Sequence, residues 1–379
     1  MQFLKSKIVL INSFFIFIFL FPLILPIIVV FSGLNIAKTD KSPSNRVAKS
    51  ILSETRELYF RMPFRNTIQF DNDCFELSRT LVYQPKKNAS CLQNNFEYKK
   101  LIEFGNFRNR LDSYGESPVY DVIVIGDSQA MGWGVSDQEI FTNVLQANGR
   151  KTLNLAVSSY GTVKELFTLR RWIQDNKDLY KKVEFIILQY EPNDIFESMQ
   201  YLQDKNIVIS PKDFDENWKV FFENEYARTN KNHIIFNGNP RLNNYALIIR
   251  NFYSRKIRTL LGQNWNYFDG ITDGSVTEIK KYPNHGEYLM KIFRINKDIL
   301  NNKKIIVFVT DTWGLNVDWV KKNLSDEFST SNEPFLKNTI FTSLEGKDVS
   351  SYYYQLDDHM NPKGHSSMGN IILSIINKN

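Results

Sequence analysis

Ser128, Asn193, Asp357 and His359 are the residue types that make and break acyl bonds. They supply a hydroxyl nucleophile, an amide able to donate to a developing oxyanion, and an imidazole with a carboxylate beside it. They fall in four short blocks: Gly126-Asp127-Ser128, then Asn154 to Gly161, then Asn193-Asp194, then Asp357-Asp358-His359-Met360-Asn361 with Gly364-His365. The apolar run Val122 to Ile125 leads straight into the first block, which places Ser128 at the carboxyl end of a buried strand, where open α/β sheets bind ligands. Gly126 lets the backbone bend tightly there, so that the Ser128 hydroxyl and its own N–H can face one developing charge. The second block follows a short strand and ends in small residues, offering another backbone N–H. The third follows Phe185 to Leu188, so Asn193 also lies at a strand end with its side-chain amide free to donate. Read singly, each block is an ordinary turn or cap. Three of them after three successive strands converge on one sheet edge, which chance turns have no reason to do.

The fourth block precedes a terminal helix that Pro362 can start. Asp357 or Asp358 is near enough in sequence to hold His359, which would take the Ser128 proton and return it to a leaving group. A neutral imidazole is required and histidine titrates near pH 6.5, so activity is expected to fall in mild acid. His233 and His285 read as structural, and His365 as a helical residue packing near the site. The four histidines are scattered and neither cysteine has metal-like spacing, so no metal or other cofactor is expected.

The elements that must carry these blocks read as α/β. From Asp121 onward short buried strands alternate with longer amphipathic stretches, the pattern of βα units around a parallel sheet. The strands are expected at Asp121–Ile125, Thr152–Leu155, Phe185–Gln189 and Ile305–Thr310. Helices are expected at Ile140–Asn148, Val163–Asp175, Tyr245–Leu261, Glu287–Leu300 and Pro362–Ile376. Residues 196–302 are long for one crossover and read as an insertion over the edge that carries the site.

Ahead of this domain, 121–379, three segments are expected. Lys5 and Lys7 precede an apolar run from Ile8 to Leu34, long enough to span a bilayer and too long for a cleaved leader, so 8–34 reads as a transmembrane signal anchor. The lysines would keep the amino terminus inside and the remainder outside the cytoplasm, although Lys38, Lys41 and Arg46 on the far side weaken the asymmetry. Residues 35–54 read as a polar stalk. Residues 55–120 read as a small β-rich segment, with strand-like stretches at Thr67–Phe70 and Thr80–Tyr83. It holds both cysteines, Cys74 and Cys91, which are expected to form a disulfide in an oxidising compartment, closing a loop whose constraint is worth about 3 kcal/mol. The 379 residues and 42% hydrophobic content are those of a globular chain, and the net charge of +6 is spread without an Arg-rich block, which argues against nucleic-acid binding.

Taken together the four blocks resemble the SGNH hydrolases, or GDSL-type esterases, and with the anchor a membrane-bound bacterial-type member. The resemblance covers roughly Asp121 to the carboxyl terminus. It implies a three-layer α/β/α, flavodoxin-like fold with a mostly parallel sheet, in which Ser128 is the nucleophile and His359 the base. The oxyanion donors would be the Ser128 N–H, the Ser159 N–H and Asn193. Three positions depart from the family pattern: Ser159 stands where the second-block glycine is usual, Glu191 where the third block commonly has glycine, and Leu356 three residues before the histidine, where the acid usually lies. Asp357, two residues before His359, is therefore the expected acid, with Asp358 the alternative. The resemblance implies oxygen esters broadly, and the anchor points to an acylated glycan or lipid of the cell envelope, most simply an O-acetyl group on a polysaccharide. Two alternatives stay open: an O-acyltransferase acting on an envelope polysaccharide through the same residues, and a non-catalytic envelope assembly or glycan-binding protein.

Overall fold

The structure is a computed structural model that describes residues 24–36, 47–48, 51–52, 55–56, 68–71, 73–78, 81–95, 97–203, 253, 284–311, 317–345 and 349–379. Its centre is a sheet of five parallel strands, β5 (Val122–Ile125), β6 (Thr152–Asn154), β7 (Phe185–Tyr190), β8 (Lys304–Val309) and β9 (Ile340–Ser343), in the order β6-β5-β7-β8-β9. Relative to the first sheet strand this is the doubly wound order 2-1-3-4-5, whose direction reverses between β5 and β7. The crevice at that reversal is where such a sheet leaves room for a ligand, and Ser128 follows β5 directly.

Both faces of the sheet are covered, which is why its strands read as continuous apolar runs and not as alternating ones. In β5, Val122 and Val124 join a core with α2 (Phe141–Ala147) and α10 (Pro362–Lys378). Ile123 and Ile125 join the opposite core with α3 (Thr162–Asp175), α6 (His285–Ile295) and α8 (Val317–Ser329). All four are at most 1% exposed, and burial of such side chains contributes roughly 1.5–3 kcal/mol each, so β5 is a rigid base for the residue that follows it. The remaining helices are short or peripheral: α1 (Ser128–Met131), α4 (Lys177–Lys182), α5 (Asp194–Gln203), α7 (Lys297–Leu300) and α9 (Pro334–Lys337).

Ahead of the sheet, β1 (Phe75–Ser78) pairs antiparallel with β2 (Val82–Pro85), and β3 (Ser90–Asn94) with β4 (Lys99–Glu103). Of the stretches expected to be extended, 67–70 contains a 3-10 turn at Ile68–Phe70, and Thr80–Tyr83 overlaps β2 at its end. A disulfide joins Cys74 to Cys91 with the Cα atoms 5.6 Å apart. Phe75, Tyr83 and Phe104 pack edge-on around it and belong to the same core as α2 and α10, so the hairpins lie against the sheet domain.

Sequence patterning missed β9, whose Ile-Phe-Thr-Ser is short and only half-buried, as an edge strand is. The expected helix at 287–300 is two helices, α6 and α7, broken at Asn296, whose side chain donates to the Ile292 carbonyl and whose backbone caps α6. Both belong to the core that covers the sheet, so the end of the expected insertion is part of the helical layer. The expected helix at 245–261 lies outside the described residues apart from Tyr253, and so does His233. Residues 24–36 are helical; among the described residues no helix is long and apolar enough to cross a membrane, and residues 1–23, which hold most of the expected span, lie outside them.

Candidate functional site

Gly126 holds the turn after β5 because nothing larger fits. A Cβ there would lie 2.7 Å from the Ala130 Cβ and 2.8 Å from Gln189 Oε1. The same Gln189 oxygen accepts the Asp127 N–H at 2.9 Å, and its amide donates to Thr310 Oγ1 at 2.8 Å, so β7 and β8 both pin the loop. Asp127 caps α1, accepting the Gln129 N–H at 2.8 Å, and this fixes Ser128 as the first helical residue.

The partner of Ser128 comes from the other end of the chain. His359 Nε2 lies 2.7 Å from Ser128 Oγ. On its far side His359 Nδ1 meets Asp357 Oδ1 in a short hydrogen bond, and Asp358 Oδ1 lies 3.2 Å from the same nitrogen. Asp357 is fully buried, His359 is 4% exposed and Ser128 is 9% exposed. Local chemistry explains why the histidine stops where it does. Asn361 caps α10, accepting the N–H groups of Lys363 and Gly364, while its amide donates to the carbonyls of Ser351 and Tyr353. Tyr353 and Met360 form a bridge across this loop, and Gly364 is needed because a Cβ would fall 2.3 Å from the Tyr352 carbonyl oxygen.

Two residues that sequence reasoning passed over hold this arrangement together. Gln129, next to the serine, donates to the Asp358 carbonyl at 3.1 Å and accepts the Met360 N–H at 2.9 Å, clamping both neighbours of His359. Trp133 stacks on the His359 ring with centroids 5.1 Å apart and planes at 21°. Neither carries a motif signal, because both act through contacts made only when the loop before α10 folds against the segment after β5.

The electrostatics favour a charged imidazole. Burial opposes the His359 charge, but Asp357 and Asp358 outweigh it and push the ring up to about 9. By contrast, burial alone drives His285 down to about 4, where its Nδ1 meets the Tyr190 hydroxyl at 2.8 Å beside Trp319. His365, buried against Phe141, is driven down to about 3 by burial and by the positive charge of Arg110. Both are core residues.

Glu191, which stands where the resemblance led to an expectation of glycine, is hydrogen-bonded to Asp127. Burial, the Asp127 charge and this side-chain hydrogen bond hold the Glu191 carboxyl well above its usual range. A second of the three departures, Ser159, adopts the left-handed conformation at φ 60°, the region a glycine would occupy without strain. It sits in a turn closed by the Tyr160 N–H on the Val157 carbonyl. Asn193 is exposed immediately before α5. Among the described residues the one group with metal-ligand spacing is Asp357, Asp358 and His359 itself, and both carboxylates there are directed at the same histidine nitrogen.

Compared with family models and with curated proteins, the sequence matches none. What can be said of the site therefore rests on its geometry: a hydroxyl, an imidazole and a carboxylate in hydrogen-bonded series at the carboxyl edge of a parallel sheet.

Proposed function

We propose that this protein is a serine esterase of the SGNH type, cleaving an oxygen ester through an acyl-enzyme on Ser128. The observation that carries the reading is the continuous relay from Ser128 Oγ through His359 to Asp357, in which Ser128 meets a histidine 231 positions away in sequence and all three residues are buried. In the first half-reaction Ser128 Oγ attacks the ester carbonyl carbon as its proton passes to His359 Nε2. The oxyanion is stabilised by the N–H groups of Ser128 and Ser159 and by the Asn193 amide. Collapse expels the alkoxide, which takes the proton from His359. Water then repeats the sequence on the acyl-serine and releases the acid.

The substrate is proposed to be an acylated envelope glycan or lipid, on the strength of the apolar run Ile8 to Leu34 and the cysteine pair, both of which suit a membrane-tethered domain outside the cytoplasm. Hydrolysis of p-nitrophenyl acetate by the full chain in detergent tests the chemistry. The wild type should turn over, and Ser128→Ala and His359→Ala should both fall to background. Asn193→Ala should lose about 100- to 1000-fold in kcat, as expected for one oxyanion donor. Equal rates for wild type and Ser128→Ala refute the reading. Acetyl release from O-acetylated polysaccharide then tests the substrate, and transfer of the acyl group to a glycan hydroxyl in place of water would reassign the enzyme as a transferase.

A further inference from the structure

Asn95, Glu97 and Tyr98, between β3 and β4, lie outside the sheet domain in sequence yet touch the acid of the relay at several points. Tyr98 donates its hydroxyl to Asp357 Oδ2 at 2.9 Å, and Asn95 donates its amide to the same oxygen at 3.1 Å. Glu97 accepts three consecutive backbone N–H groups of the acid's own loop, from Gln355 at 2.7 Å, Leu356 at 2.9 Å and Asp357 at 2.8 Å. Arg56 reaches the same loop, donating to the Gln355 carbonyl and, at 3.3 Å, to its side-chain oxygen.

The turn itself is built to be rigid. The Asn95 side-chain oxygen accepts the N–H groups of Glu97 and Tyr98, leaving its amide to point at Asp357. The Tyr98 ring packs on Tyr354 at 4.8 Å. Gln93, two residues before the turn, accepts the Gly134 N–H at 2.7 Å, and Cys91 is tied to Cys74.

We propose that Asn95, Glu97 and Tyr98 are positioning residues for the esterase reaction, through which the disulfide-tied hairpin holds Asp357 on His359. The inference rests on the reading of Asp357 as the acid of a catalytic relay. Asp357 Oδ1 faces His359 Nδ1 while Oδ2 is held by Tyr98 and Asn95, and Glu97 ties its backbone N–H together with those of Gln355 and Leu356. The groups that face this assembly are Arg56, Asp358, Tyr354 and His359.

The test compares wild-type full chain with Tyr98→Phe, Glu97→Gln and Asn95→Ala/Tyr98→Phe. Tyr98→Phe deletes one oxygen and leaves the ring packed, so it guards against a Glu97→Gln variant that fails to fold. Expected losses in kcat/KM are about tenfold for Tyr98→Phe, the scale of one hydrogen bond to a charged group, and about 100-fold for the double variant. With Asp357 free to turn away, the acid limb of the pH profile should move down toward the ordinary histidine value, and the low-field proton resonance of His359 Nδ1 should be lost in the double variant. Unchanged profile and resonance in a folded double variant overturn the proposal, as does a loss of activity that tracks only the thermal midpoint. The resonance needs no substrate. If Ser128→Ala equals wild type the esterase reading fails, and the resonance still decides whether the hairpin holds Asp357.

Discussion

Two carboxylates on one imidazole nitrogen make Asp357→Asn more informative than in a simple triad. In a relay with a single acid, the asparagine change turns the histidine to the wrong tautomer and costs about 10⁴-fold in kcat, or about 5 kcal/mol. Here Asp358 Oδ1 lies 3.2 Å from His359 Nδ1 and can take over the bond. Its side chain is 23% exposed, and in the resting arrangement it meets Nδ1 as an ion-pair contact while Asp357 holds the hydrogen bond, so the bond it could take over is at the lower end for a charged hydrogen bond, about 1.5 kcal/mol or roughly tenfold. Asp357→Asn should therefore cost about 10³-fold, Asp358→Asn about tenfold or less, and the double variant the full 10⁴-fold. The assay is kcat/KM toward p-nitrophenyl acetate across the four proteins at pH 9. Asp358 has no part in the relay if Asp357→Asn alone already loses 10⁴-fold and Asp358→Asn is silent in both backgrounds.

The acid limb of kcat/KM should lie near pH 9, since the base must be neutral and Asp357 and Asp358 push His359 up to about 9 against burial; a profile already level by pH 7 contradicts this. The sequence alone set that limb near 6.5, because an isolated histidine carries no knowledge of its neighbours. Stability should fall between pH 7 and 9. The folded His359 value exceeds the unfolded one, so its contribution of about 3 kcal/mol is full below pH 6.5 and is lost as pH rises through 9. A thermal midpoint that rises over that interval would show the sign to be wrong. Ser159→Gly should raise the midpoint, since a non-glycine residue at φ 60° costs about 1–2 kcal/mol, and should leave kcat/KM within about twofold if the backbone N–H is the donor. A large loss of activity would mean that the hydroxyl is needed.

Local order was legible in the chain because it is written in neighbours. The apolar runs marked four of the five sheet strands, glycine marked the bend before Ser128, and Asn361-Pro362 marked the start of the last helix. The pairing of Ser128 with His359 could be anticipated from residue type and order, but their distance is set only when the loop before α10 closes on the turn after β5. Sequence favoured Asp357 over its neighbour Asp358 as the acid, and the structure places both carboxylates at His359 Nδ1, Asp357 buried and braced, Asp358 half-open. Trp133, Gln129, Glu97 and Tyr98 had no sequence signal at all. Their partners lie more than 200 residues away, and hydrogen bonds and ring contacts of that range exist only once the sheet and its two helical layers have closed. Residue type thus determined which groups could react. Burial and long-range hydrogen bonding decided which were held together and with what charge.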